Sequence, residues 1–425
     1  MIAWLLISFF VLLFLGVPIA MSLGLSAIGG ILFLGGGSTV TIAQRMFEGM
    51  NSFALLAIPL YTFAGFTMSK GGISKRLMDF CYSIVGHIYG GLAHVNVLSS
   101  MIFAGISGSA VADTAGVSGM FMPEMIRKGY SKNFTVAVTA ISSTIGIIIP
   151  PSIPMVVIAG ICGISTGKLF LGGIIPGILC GLAQMIVSYF LAKKEGVPKE
   201  PGHFTIGPVL HGLWESWPAL LMPIIIVGTI TMGIVSPTEA GVIAVVYGLF
   251  AGGIIYRELK WEDIKFAFAE TVRTSGRIFI VIGAAKLYTV MLTTAGFDKW
   301  VAKTMLGFST NPTVILIMIL LIFFIVTMFM ESIATLTLFM PILYPIAIGV
   351  GIDPIVLSVL ITVVIGIGLV TPPVGMCIYV ACDLMDTTVG EVFPTLVPFI
   401  AATFVCIALM VAFPQLILLP TYLMA

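Results

Sequence analysis

The chain reads as a succession of apolar runs separated by charge clusters and Gly/Pro breaks. They cover residues 4–20, 22–36, 51–69, 77–90, 91–126, 133–162, 169–192, 214–234, 237–256, 278–297, 312–349, 354–382 and 393–424. Apolar and polar positions do not alternate within them, so the pattern predicts membrane helices rather than the strands of a barrel. Four runs are too long for one straight crossing and carry breakers in their middles. Run 91–126 holds Gly105-Ile106-Ser107-Gly108-Ser109, and run 133–162 holds Gly146 followed by Pro150-Pro151-Ser152. Run 312–349 holds Glu331-Ser332, and run 354–382 holds Gly366, Gly368 and Thr371-Pro372-Pro373. Consecutive prolines remove two backbone donors and clash with the preceding turn, so a helix breaks there. Carbonyls freed at membrane depth persist only where they face protein, a water-filled cavity or an ion. One proline reads as a kink; paired breaks in both halves read as functional.

Those breaks repeat. An offset of 218 sets Asp113 against Glu331, Ala112-Asp113-Thr114 against Met330-Glu331-Ser332, and Phe121-Met122-Pro123 against Phe339-Met340-Pro341. Further on, an offset of 222 sets Ile145–Pro151 against Ile367–Pro373 and Pro176 against Pro398. The difference predicts a four-residue insertion between the matched blocks. The loop after the first acidic break, 127–132, carries Arg127, Lys128 and Lys132, whereas its counterpart 347–354 carries no basic residue. The positive-inside rule puts the first in the cytoplasm and permits the second outside, which makes the repeat inverted, as in many secondary transporters. Lys70/Lys75/Arg76, Lys193/Lys194/Lys199 and Arg257/Lys260/Lys265 fall on the cytoplasmic side. Segment Trp261–Arg277, mixing charge with apolar residues, is expected to lie along the interface.

Composition agrees. Of 425 residues, 59% are hydrophobic and 9% charged, where a soluble domain carries about 25% charge. Mean hydropathy is +1.18. So little charge cannot cover a globule in water, and in lipid only helix bundles or closed barrels satisfy the backbone. A net charge of +1 gives no footing for nucleic acid. Residues Met1–Leu6 show no basic region, and no small-residue cleavage site follows, so a retained helix is expected. Cys81, Cys162, Cys180, Cys377, Cys382 and Cys406 show no CxxC spacing and are expected as core residues without disulfide or metal roles.

The stretch Gly105–Gly116 is richest in candidate chemistry. Ser107, Ser109, Asp113 and Thr114 supply oxygens, and an acid in hydrocarbon needs a cavity, a partner or a cation. The break Ile145–Ser152 offers orphan carbonyls and a half-helix starting near Ser152. A hairpin tip meeting a broken helix makes an oxygen cage suited to a hard cation. The second half repeats this with Glu331, Ser332, Thr335, Gly368 and Thr371. A lone serine would bond back to its own helix; the clustering favours a site. Glu239, in Ser236–Gly241, reads as a helix cap, and Lys286 is left between an acid and an anionic partner. Gly105-Ile106-Ser107-Gly108 also matches the GxSG of intramembrane serine proteases, but His87 and His94 lie beside glycines and offer no buried base. Ser165–Lys168 lacks the remainder of a phosphate loop, so no enzyme and no ATP site is expected.

Several stretches resemble a known family: Ser52–Leu60, Gly91–Val97, Gly105–Gly116, Ser236–Gly241 and Thr371–Gly375 look like the signatures of the large, DctM-type membrane subunit of tripartite ATP-independent periplasmic (TRAP) transporters, with a resemblance to the sialic-acid branch. The resemblance runs over essentially the whole chain. It implies an all-α polytopic protein of the bacterial inner membrane, an inverted-repeat elevator with two re-entrant helical hairpins and two broken transmembrane helices. Scaffold is then expected at 1–76 and 193–297, and transport-domain repeats at 77–192 and 298–425. It further implies Na+ as coupling ion with no ATP and no organic cofactor, a periplasmic substrate-binding protein, a small four-helix membrane subunit as a separate chain, and an organic-anion substrate. Carried over, Ser107, Ser109, Asp113, Ser152 and Thr335 would contact substrate. Ser107, Gly146, Ile149 and Pro151 would form one sodium site, and Glu331, Ser332, Gly368, Thr371 and Pro373 the other. The alternatives are a stand-alone sodium/dicarboxylate symporter, separable by whether a small partner co-purifies, and a passive channel or protease, which the duplicated breaks disfavour.

Overall fold

The computed structural model describes residues 1–34, 39–197 and 205–424. Every regular element among them is helical. In order these are α1 Ile2–Phe14, α2 Ile19–Leu34, α3 Thr39–Met50, α4 Ala57–Lys70, α5 Ile73–Val85, α6 Gly91–Ser107, α7 Ala110–Arg127, α8 Lys132–Ser143, α9 Ile153–Cys162 and α10 Thr166–Lys194. There follow α11 Ile206–Thr231, α12 Pro237–Phe250, α13 Trp261–Thr294, α14 Phe297–Phe308, α15 Pro312–Thr327, α16 Ser332–Gly349, α17 Pro354–Gly368, α18 Met376–Met385, α19 Val389–Ala412 and the short α20 Gln415–Leu418. Among the described residues, seven helices are long and apolar enough to cross a bilayer. The protein is a multi-pass, all-α membrane protein.

All four expected breaks are present. Run 91–126 divides into α6 and α7 at Gly108-Ser109, and run 312–349 into α15 and α16 at Met328–Glu331. In each case the two arms pack on one another as a hairpin. Runs 133–162 and 354–382 are interrupted at the Pro-Pro pairs, giving α8/α9 and α17/α18. Both Pro-Pro bonds are cis. The first run departs from expectation: 4–20 is not one helix, because α1 stops at Phe14, Gly16 turns the chain at φ 81°, and α2 starts after Pro18. Trp261–Arg277 is not a separate element either, but the first half of the unbroken 34-residue α13.

The repeat holds a single register, which corrects the alignment drawn from sequence. Helices α7 and α16 both have 18 residues, and α8 and α17 begin at Lys132 and Pro354. Their N-caps fall at Ser109 and Glu331, then at Ser131 and Asp353. An offset of 222 therefore fits throughout, no four-residue insertion exists, and the structural counterpart of Asp113 is Thr335. The Phe-Met-Pro match at 218 arose because α16 contains a second proline: Pro345, not Pro341, stands opposite Pro123.

The broken helices form the centre. Every residue of α8 from Phe134 to Ser143 and of α17 from Ile355 to Gly368 is buried. Helix α17 packs on the turn Thr144–Ile147 that follows α8, where a Cβ on Gly366 would lie 3.4 Å from the Thr144 Cβ. Outside this core α4 packs on α12, and α13 on α2 and α3. Buried tyrosines fasten that layer: Tyr61 Oη donates to the Pro237 carbonyl at 2.8 Å and Tyr288 Oη to the Leu5 carbonyl at 2.9 Å. Glu239 caps α12 as expected, accepting the Ser236 amide at 2.6 Å while the Ser236 hydroxyl accepts the Glu239 amide at 3.3 Å.

Candidate functional site

Each hairpin tip is joined to the adjoining helix break by one backbone hydrogen bond. The Ile153 amide donates to the Gly108 carbonyl at 3.2 Å, and the Val374 amide to the Met328 carbonyl at 3.0 Å. A helix interruption leaves amides and carbonyls without intrahelical partners, and here one orphan from each break is satisfied by the opposite tip. The approach is too close for a side chain at Gly108: its φ is 63°, and a Cβ would sit 2.7 Å from the Pro151 carbonyl oxygen. Gly368 is equally tight, since a Cβ there would lie 2.6 Å from the Thr327 Cβ.

Asp113 lies in the first turn of α7, fully buried, and faces Gly146 across the first junction. A Cβ on Gly146 would meet the Asp113 Oδ2 at 3.7 Å and the Ser109 carbonyl at 3.6 Å. Neither carboxylate oxygen has a hydrogen-bond partner among the described residues. The neighbouring hydroxyls are committed elsewhere: Ser100 Oγ to Ser142 Oγ at 3.1 Å, and Thr114 Oγ1 to Ser143 Oγ at 2.6 Å and the Ala110 carbonyl at 2.9 Å. A buried, unpartnered carboxylate is among the costliest groups a fold can hold. With hydroxyl and carbonyl oxygens around it, the place fits a hard cation.

Glu331 is not an equivalent acid. As N-cap of α16 its carboxylate accepts the Ile333 and Ala334 amides at 2.9 and 3.3 Å and the Ser332 hydroxyl at 3.0 Å. Thr335 Oγ1 donates to the Glu331 carbonyl at 3.1 Å. Ser152 caps α9, accepting the Met155 amide at 3.3 Å and donating to the Ile147 carbonyl. Thr371 Oγ1 turns back to the Ile367 carbonyl at 2.7 Å, and the Pro373 carbonyl accepts the Tyr379 hydroxyl at 3.2 Å. Ile149 is half-buried and packs against Gly177. Ser107 ends α6, and its side chain lies outside the described residues.

A cavity of about 600 Å³ opens beside both tips. The starts of α7, α9 and α16 reach it through Ser109, Ile153 and Ser332, so the positive ends of three helix dipoles face one space. That arrangement favours anions. The opposite wall is built from α4 and α13 and carries Lys70 and Arg277, which sequence reading left unassigned to any site. Asp113, Ser152 and Thr335 are not among the described lining residues, so the structure does not bring them to the cavity with Ser109.

Residues 6–416 match the family described as "Tripartite ATP-independent periplasmic transporter, DctM component". The chain belongs to this family. It is 35% identical to the sialic acid TRAP transporter large permease protein SiaM of Vibrio cholerae over 96% of this chain and 95% of that one. To the C4-dicarboxylate TRAP transporter large permease protein DctM of Pseudomonas aeruginosa it is 35% identical over 95% and 94%. To the isethionate TRAP transporter permease protein DctMQ of Oleidesulfovibrio alaskensis it is 37% identical over 92% of this chain, which spans 62% of that longer protein. The solved YdaH transporter of Alcanivorax borkumensis shares the fold at a TM-score of 0.60 and 13% identity, covering 89% of this chain and 88% of that one. As a TRAP large permease subunit, the protein is a transporter component.

Proposed function

We propose that this TRAP large permease subunit moves an organic acid into the cytoplasm at the expense of a sodium gradient. It receives the acid from a periplasmic binding protein and works beside a small four-helix membrane subunit in a bacterial inner membrane. The relatives above are named for isethionate, sialic acid and C4-dicarboxylates, all acids, and a cavity faced by three helix starts suits such a solute. The single observation carrying sodium coupling is the unpartnered carboxylate of Asp113 against Gly146 at the first tip-to-break junction.

The first sodium site is read as Asp113 with the Ser107 hydroxyl and carbonyls of Gly146, Ile149 and Pro151. The second is read as Ser332 with Gly368, Thr371 and Pro373. Glu331 serves its own helix in this reading, and Ser109 and Ser332 meet the solute from the tips. The two hairpins, read as re-entrant, move with the broken helices as one body against a scaffold containing α4 and α13, an elevator. Support for that division comes from the burial of α8 and α17 together at the centre. Uptake into proteoliposomes tests the proposal, with the two partner proteins supplied and sodium or potassium imposed outside. Accumulation that needs sodium and not ATP is expected; equal uptake in potassium would refute the coupling.

A further inference from the structure

Two cations stand on the cavity wall that the tips do not form. Lys70, in the last turn of α4, and Arg277, midway along α13, both line it. Phe66 shares Lys70's face of α4 at helical spacing, and Thr274 and Val281 share Arg277's face of α13. Both charged side chains are exposed, so their ends are open to a solute entering the cavity. Among the described residues neither cation forms an ion pair; the Lys70 ammonium rests 4.8 Å above the Phe266 ring. The acid on the described wall, Glu331, accepts hydrogen bonds from Ser332, Ile333 and Ala334 and pairs with neither cation.

The cavity wall thus carries two cations with no ion-pair partner among the described residues, facing three helix starts. An acid entering this space meets both cations and can form charge-assisted bonds with them. We propose that Lys70 and Arg277 are the scaffold half of the solute site. They take the carboxylate or sulfonate of the transported acid while the hairpin tips hold the remainder, so the acid is bound across the boundary between the scaffold and the moving body. The inference rests on the reading of the cavity as the solute site. It adds that affinity depends on a scaffold charge that does not travel with the tips.

The experiment uses the complex of this chain with its small membrane subunit, purified in detergent with sodium. Sialic acid, succinate and isethionate are the probes, and thermal stabilisation is the readout. For the acid that stabilises wild type most, Arg277→Gln and Lys70→Gln should each weaken half-saturation about tenfold, the scale of one lost charge-assisted bond. Arg277→Lys should restore most of it, and the shift produced by sodium alone should stay as in wild type. Wild-type affinity in both Gln variants overturns the inference. So does a loss that disappears when phosphatidylglycerol is omitted from the detergent mixture, which would make the cations headgroup ligands, or the absence of stabilisation by any probe. Ser109→Ala separates the two readings: if it loses binding while Arg277→Gln does not, the tip site stands and the scaffold half falls. If neither loses binding, both fall.

Discussion

The Gly108 carbonyl accepts the Ile153 amide at 3.2 Å, tying the tip of the first hairpin to the far side of the first helix break. Met328 and Val374 repeat the bond in the second half at 3.0 Å. The tip of each hairpin is thus held by the break it faces, and what disturbs one disturbs the oxygen cage between them.

Gly108→Ala tests that dependence. The left-handed backbone alone costs a residue with a Cβ about 1–2 kcal/mol, and the new methyl would press on the Pro151 carbonyl at 2.7 Å. The variant should insert in the membrane yet lose most uptake, with a raised sodium requirement. Gly119→Ala, whose methyl meets nothing within 4 Å, should leave uptake unchanged. Uptake measured against sodium for both variants checks this.

Glu331 and Ser109 cap equivalent helices, so their jobs should be exchangeable. Glu331→Ser should retain uptake, whereas Glu331→Ala should lose about 1 kcal/mol of stability with the cap. Thermal unfolding and uptake of the two variants decide it. Loss of transport in Glu331→Ser with normal folding would show that the charge itself is needed.

The loops 127–132 and 347–354 should face opposite sides of the membrane, the first cytoplasmic. Single cysteines placed at Lys128 and Gly349, in a background with the six native cysteines replaced, should label from opposite sides with an impermeant reagent. Labelling from one side would end the inverted reading of the repeat.

The breaks were legible from sequence because prolines and glycines act locally, and all four fell where Gly108, Pro150, Glu331 and Pro372 indicated. Register was not, because short apolar matches recur: Phe339-Met340-Pro341 imitates Phe121-Met122-Pro123, and only the helix ends show that Pro345 is the true counterpart. That slip made Asp113 and Glu331 appear as matched acids, although one is unpartnered and the other is a cap. The cation pair was out of reach for another reason. Lys70 read as one of several cytoplasmic charges and Arg277 as the end of an interfacial segment. Nothing in local pattern says that α4 and α13 share a wall.

Sodium binding to wild type and Asp113→Asn is the most direct test of the central claim, that the first tip-to-break junction holds the coupling ion. Removing an uncompensated buried charge should leave the sodium-free complex no less stable than wild type, since that charge costs the empty protein. Sodium should stabilise wild type against heat, and the midpoint of that effect should rise at least about tenfold in Asp113→Asn, the equivalent of ~1.4 kcal/mol. The same sodium midpoint in both proteins would contradict the account.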